Sequence, residues 1–208
     1  VYNGIDQKKF RKDNDSTIRE QTRKKLGISP GAIVFLFVSF ELKKKGIEPL
    51  VRAAGRLKQQ GKDFHILVTG ALPYSGLQRL IRQQCLEETV IFSGPCKTIH
   101  QMYAAGDVFT LPTYYDACSL SVIEAMVCGL PPITTETNGI AGILTHRQNG
   151  YVLSHPPTPQ DIEQAMELML DKEKRKKMAE AAQLLGREYS REKNHAAMLK
   201  ICREAAVT

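Results

Sequence analysis

The sequence predicts an α/β fold with a doubly wound parallel sheet, and three features carry that expectation. The first is a series of short, nearly continuous apolar runs: "AIVFLFVSF" (32–40), "FHILVTG" (64–70), "TVIFSG" (89–94), "DVFTLP" (107–112), "PPITT" (131–135) and a short "GYVLS" (150–154). Unbroken apolar runs, rather than in-out alternation, suit strands covered on both faces of a parallel sheet. The second is amphipathic helical patterning between them, near 17–26, 46–60, 75–87, 98–105 and 119–128, with further helices near 159–171, 173–188 and 190–205. The third is the absence of internal repeats, low-complexity stretches and long linkers. Strand–helix alternation of this kind implies right-handed crossovers within one sheet.

Composition bounds what such a fold can do. The 208 residues suffice for one sizeable α/β domain or two small ones. A hydrophobic fraction of 42% and a charged fraction of 25% are ordinary for a globular protein. No run approaches the ~20 apolar residues that span a bilayer, and the first residues carry no signal-peptide pattern. The five cysteines form no C-x-x-C pair, which fits a reduced, cytoplasmic compartment. The formal charge of +7 favours phosphate-bearing partners: a nucleotide, the anionic inner face of the plasma membrane, or nucleic acid. Basic runs at 8–12, 23–25 and 172–177 also read simply as solvated helix faces.

Ligands of an open parallel sheet bind beyond the carboxyl ends of its strands, so the loops that matter are 39–46, 70–75, 94–98, 112–120 and 135–141, all expected on one edge. Loop 112–120 leads into a helix whose apolar positions Leu120, Ile123, Val127 and Leu130 follow a 3–4 spacing, with Ser119 as its expected N-cap. The free N–H groups around Ser119, Leu120 and Ser121 would form a phosphate site. Asp116 precedes that helix end, and Glu124 stands inside the helix, where an unpaired buried charge would be costly. Spacing alone leaves two assignments open: carboxylates aimed at hydroxyls, or a capping Asp116 and a Glu124 paired with a surface lysine. Loop 39–46, "SFELKKKG", brings Lys43, Lys44, Lys45 and Gly46 to the start of the next helix. There a cation reaches a diphosphate and glycine allows close backbone approach, or the run is a solvated basic loop. In "FSGPCKT" (92–98), backbone around Cys96 and Lys97 borders a base or simply turns the chain, with Thr98 as an N-cap.

Other chemistry is poorly represented. No G-x-G-x-x-G follows the first strand, and neither G-x-x-x-x-G-K-[ST] nor G-x-S-x-G is present. The five histidines are scattered without ligand spacing, so no metal site is expected, and His65 reads as a core or edge histidine.

In this order, "YNGID", "FLFVSFELKKKGIEPLVRAAGRL", "FHILVTG", "VIFSGP", "MYAAGDVFTLPTYYDACSLSVIEAMVCGLPPITT", "NGIAGIL" and "QNGYVL" resemble the C-terminal half of a family 4 (group 1) glycosyltransferase of the GT-B fold. "TYYDACSLSVIEA" and "KKKG" are most similar to lipopolysaccharide-core glucosyltransferases. The resemblance implies a Rossmann-like donor-binding domain and retaining hexose transfer from a nucleotide diphosphate-sugar, UDP-glucose or a related UDP-sugar, without cofactor or metal. It places Asp116 at the hexose, Glu124 at the ribose hydroxyls, and the amides of Ser119, Leu120 and Ser121 with Lys45 at the diphosphate. Lys43 and Gly46 lie beside that position, and Cys96 and Lys97 beside the base. Two departures stand out: Asp116 occupies a position usually held by Glu, and Ser39 occupies one often held by Arg.

The whole chain is then expected to be one nucleotide-sugar-binding domain, with 1–15 as a hinge-proximal segment and 190–208 as a terminal helix. The N-terminal domain, which takes a glycan or lipid-linked acceptor, would be absent, leaving Met198, Leu199 and Ile201 partly exposed and the fragment inactive alone. Competing expectations are an α-glucan synthase domain of the starch or glycogen type, or a non-enzymatic polyanion-binding module. Nucleic acid is disfavoured because the basic runs lack interleaved aromatics. Peripheral membrane association is compatible with the charge.

Overall fold

The computed structural model describes residues 2–10 and 16–206; Arg11 and Lys12 of the first basic run lie outside the described residues. Each expected strand forms, trimmed at its ends: β1 Val34–Val38, β2 His65–Thr69, β3 Val90–Gly94, β4 Val108–Leu111, β5 Pro132–Thr135 and β6 Tyr151–Leu153. They build one parallel sheet in the order β3-β2-β1-β4-β5-β6. In β1, Val34, Phe35, Leu36 and Phe37 are fully buried, which explains the unbroken apolar run. Each such side chain contributes roughly 1.5–3 kcal/mol through burial. Register runs Val34↔His65 on one side of β1 and Phe35↔Val108 on the other.

A short helix, α1 Gln7–Phe10, stands where none is expected, and the others follow the expected pattern: α2 Ser16–Lys25, α3 Ile47–Gln59, α4 Ser75–Gln83, α5 Ile99–Ala105, α6 Leu120–Val127, α7 Pro159–Leu170, α8 Lys172–Gly186 and α9 Arg191–Ala205. Right-handed crossovers out from β1 to β3 and back to β4 put α3 and α4 on one face and α5 and α6 on the other. Accordingly α3 packs on α4 and α7, whereas α2 packs on α5, and α6 on α1 and α8. The helical pattern at 75–87 stops early, at Gln83. Cys85 turns left-handed at φ 54°, and the Leu86 N–H bonds to the Ile81 carbonyl at 3.1 Å, a Schellman closure without glycine.

The run at 23–25 is only in part a solvated face. Arg23 is buried, donating to the carbonyls of Ala105, Pro30 and Ala32 and to Asp107 Oδ2 at 2.7 Å. A guanidinium satisfies several carbonyls at once because its donors are fixed in a fork. At the start of β2, His65 is half-buried, and its Nδ1 is buried with no partner among the described residues. Met198, Leu199 and Ile201 on α9 are exposed. No described helix is long and apolar enough to cross a membrane.

Candidate functional site

The strand order reverses between β1 and β4, the switch point at whose crevice open parallel sheets take their ligands. The loop after β1 turns tightly: the Lys45 N–H bonds to Glu41 O at 3.0 Å and the Ile47 N–H to Leu42 O at 3.1 Å. Gly46 ends the turn in the left-handed region, at φ 80°. A Cβ there would stand 2.0 Å from the Pro112 carbonyl oxygen. Glycine therefore serves close approach, and what approaches is the loop after β4. The two loops are stitched together where the Tyr114 N–H donates to Lys44 O at 3.0 Å and Thr113 Oγ1 lies 3.3 Å from the same oxygen.

Across that seam Lys45 Nζ donates to Asp116 Oδ2 at 2.5 Å and to Tyr115 O at 3.3 Å. The Lys45 and Asp116 side chains are only 12% and 17% exposed, so solvent screens the pair weakly. Asp116 Oδ1 accepts the Cys118 N–H at 3.0 Å, and Oδ2 also accepts the Ser119 hydroxyl. Burial alone would raise the Asp116 pKa. Lys45, Ser119 and the Cys118 amide outweigh burial and hold the carboxyl below its ordinary range.

Helix α6 begins where expected, but its start is built differently. Ser119 occupies the N-cap position without capping through its hydroxyl, because Asp116 has taken that hydroxyl. The Ser119 N–H instead points to Asn138 Oδ1 at 3.4 Å, an oxygen that also accepts the Ile140 N–H at 3.3 Å. Asn138 is buried and anchored to Thr134 Oγ1 through Nδ2 at 3.0 Å. Its segment closes on the helix start: the Gly139 N–H donates to Asp116 O at 2.8 Å, and a Cβ on Gly139 would meet Ala117 O at 1.9 Å. Of the amides expected to cradle phosphate, Ser119 is thus already engaged. Leu120 and Ser121 keep first-turn N–H groups with no intrahelical acceptor. Leu120 is also no core residue. Its side chain is exposed at the sheet edge, and the buried face of α6 is Val122, Ile123, Ala125, Met126 and Val127.

Glu124 meets no surface lysine. Its Oε2 accepts the hydroxyl of Tyr103, a fully buried residue of α5, at 2.7 Å. Burial raises the Glu124 pKa above its ordinary value, and the Tyr103 hydrogen bond pulls it partly back.

Of the basic loop, only Lys45 reaches the crevice. The Lys43 ammonium lies 4.7 Å from the Tyr74 ring centroid, and Lys44 pairs with Glu41 at 3.5 Å on the surface. Lys43 therefore does not stand with Lys45 because its stem follows the β1–β2 side. That side holds a cleft of about 350 Å³ lined by residues including Phe40, Lys43, Leu72 and Tyr74. Cys96 is half-buried and Lys97 exposed in the loop after β3, with β2 standing between β3 and β1. Thr98 holds the N-cap position of α5, but its hydroxyl donates to Gln101 Oε1 at 3.2 Å instead of capping. Sequence reasoning missed Tyr103, Asn138 and Thr113. Each acts through a partner on another element, and no local spacing signals that.

The glycosyl transferases group 1 family matches residues 18–185. N-acetyl-alpha-D-glucosaminyl L-malate synthase of Bacillus anthracis is 29% identical over 183 residues, 88% of this chain and 47% of that enzyme. Among solved structures, Anabaena HepE in complex with UDP-glucose superposes with a TM-score of 0.85 at 20% identity, over 98% of this chain and 57% of that one. The C-terminal domain of a glycosyl transferase group 1 family protein from Francisella tularensis superposes with a TM-score of 0.76 at 23% identity, over 88% of this chain and 96% of that domain. The two superpositions establish a shared Rossmann-like fold, that of the C-terminal part of GT-B chains. The chain spans about half the length of the curated relatives it matches. With the family pattern running through both crevice loops and most of the sheet, the chain belongs to the glycosyl transferases group 1 family.

Proposed function

We propose that this chain is the donor-binding half of a retaining glycosyltransferase, taking a hexose from a nucleotide diphosphate-sugar, with UDP-glucose the first choice. The acceptor, a glycan or a lipopolysaccharide-type lipid-linked sugar, would be held by a second domain, and the reading includes no cofactor. One observation carries the proposal: Lys45, Asp116 and the start of α6 converge across the strand-order reversal, with Lys45 and Asp116 at 2.5 Å. A sugar-pyrophosphate needs such a junction of cation, amides and carboxylate within its own length.

The roles follow from the chemistry of each group. Negative charge grows on the departing diphosphate, where a preorganised cation and helix N–H groups stabilise it most. Lys45 and the Leu120 and Ser121 amides would fill that role. Asp116 Oδ1 has one internal donor, the Cys118 N–H, and its remaining lone pair suits a hexose hydroxyl. Glu124 turns its other oxygen, which has no hydrogen-bond partner among the described residues, to the ribose hydroxyls. Gly46 and the backbone near Cys96 and Lys97 flank the diphosphate and base. The UDP-glucose complex of a protein with this fold supports the choice of donor.

Calorimetric titration of the chain with UDP-, GDP- and ADP-glucose tests the reading. Saturable binding of one of them is expected, weakened about 10- to 100-fold by Glu124→Ala, as loss of a charged hydrogen bond of ~1.5–3 kcal/mol implies. Failure of all three at millimolar concentration would remove the basis for the proposal. Binding only to polyanions, steeply salt-dependent and indifferent to Asp116→Ala, would favour a basic binding module instead.

A further inference from the structure

We infer that Tyr103 is a positioning residue for nucleotide binding, holding the Glu124 carboxyl with one oxygen fixed and one presented to the ligand. This rests on the donor-site reading above and adds a residue and a proton state to it.

The geometry is asymmetric. Glu124 Oε2 takes the Tyr103 hydroxyl at 2.7 Å, and Oε1 has no hydrogen-bond partner among the described residues. Among the described residues Oε1 is not a buried atom left without a partner, so it is open to solvent and available to a ligand. The supporting phenol is rigid. Tyr103 is fully buried, its ring stacked edge-on against Phe10 at 5.7 Å and tilted against Phe109 at 6.2 Å. Its hydroxyl also lies 3.3 Å from the Ser121 carbonyl, so the same group touches the helix turn whose amides face the crevice. Fixing one oxygen removes a rotational freedom of the side chain, so less is lost when a diol binds.

The bond also governs protonation. Burial favours the neutral carboxyl, and the Tyr103 hydrogen bond favours the ionised one. Tyr103 is held neutral by its own burial and by the Glu124 charge beside it. Cys128, at the end of α6, acts on Tyr103. Helix α6 packs on α1, α8, β4 and β5 and meets α5 through Tyr103, and among the described residues no salt bridge reaches Glu124. At the helix start, Lys45 and Asp116 are paired with each other. Only the ionised form accepts from two hydroxyls, so binding weakens as pH falls through the Glu124 pKa, which lies above the ordinary 4.5.

The test is the pH dependence of UDP-glucose affinity from pH 4.5 to 8, because the sugar-bearing diphosphate keeps its charge across that range. GDP- or ADP-glucose replaces it if that is the donor bound. Tyr103→Phe should weaken binding about 2- to 10-fold at pH 7.5, as loss of one hydrogen bond implies, and move the acid-side inflection to higher pH. Glu124→Gln should abolish the inflection. In parallel, the Glu124 carboxyl carbon is titrated by NMR in the ligand-free protein, where Tyr103→Phe should raise the midpoint. An affinity loss that is equal at every pH, or an unmoved midpoint, shows a packing role only and overturns the inference. If wild type binds no nucleotide sugar but the midpoint moves, the donor-site reading falls and only the proton linkage between the two residues survives.

Discussion

Replacing Lys45 by Met removes the cation at the crevice while keeping most of its stem, and the consequences follow from the pair's burial. Breaking a buried ion pair costs about 3–5 kcal/mol, and an exposed one about 0–1 kcal/mol. The two side chains are 12% and 17% exposed, and Asp116 would keep the Ser119 hydroxyl and the Cys118 amide. About 2 kcal/mol is therefore expected, which lowers Tm by roughly 4–8 °C for a chain of this size. The pH dependence has a definite sign. The folded-state pKa of Asp116 is depressed below its ordinary 3.8, so its stabilisation is complete above that value and lost as pH falls through the lower, folded-state one. The Tm gap between wild type and Lys45→Met should thus be full at pH 6–8 and narrow below about pH 4. Scanning calorimetry from pH 3 to 8 reads this directly. The same variant should bind UDP-glucose about 10- to 100-fold more weakly, since a charge-assisted hydrogen bond contributes about 1.5–3 kcal/mol. A gap that does not narrow in acid would refute the buried-pair argument. An affinity changed by less than about threefold, under 1 kcal/mol, would refute the diphosphate role.

Three further outcomes are expected. Gly46→Ala forces a Cβ to within 2.0 Å of Pro112 O at φ 80°, so Tm should fall by more than the ~1 kcal/mol of left-handed strain alone implies, with nucleotide affinity falling alongside as the two loops part. Asn138→Ala leaves the Ser119 and Ile140 amides without their acceptor and should cost about 1–3 kcal/mol in chemical denaturation, while weakening UDP-glucose binding through a displaced α6 start. Arg23→Met leaves several buried carbonyls unmet far from the crevice, while Asp107 keeps Arg19 at 2.6 Å and the Val34 N–H at 2.8 Å. It should cost about 1–3 kcal/mol and yet leave the affinity of the remaining folded protein unchanged by titration.

What was legible in the sequence, and what was not, divides along physical lines. Strands β1 to β6 were readable because a parallel sheet buries both faces, so Val34 to Phe37 had to be apolar without interruption. Helix positions were readable at Gly46, Thr98 and Ser119, but the end of α4 was not, because Cys85 closes it without glycine. Where a cap failed, as at Ser119 and Thr98, the position was right and the bonding differed, because a nearby side chain outcompeted the backbone for the hydroxyl. Leu120 matched the apolar period yet lies exposed, since periodicity does not report where a helix overhangs its sheet. The carboxylates and Lys45 were singled out from residue type and loop position, and also from the family resemblance. Their partners were not.

Alone, the amino-acid order determined the succession of elements, the edge on which their loops gather and the chemical types available there, all of which depend on contacts within a few residues. Tertiary structure decided which of three lysines faces Asp116, which amides remain free at α6, and that Tyr103 and Asn138 hold the site in place. Those pairings join residues 19 to 71 positions apart, and only the closed sheet, with its order reversing between β1 and β4, brings them within hydrogen-bond reach.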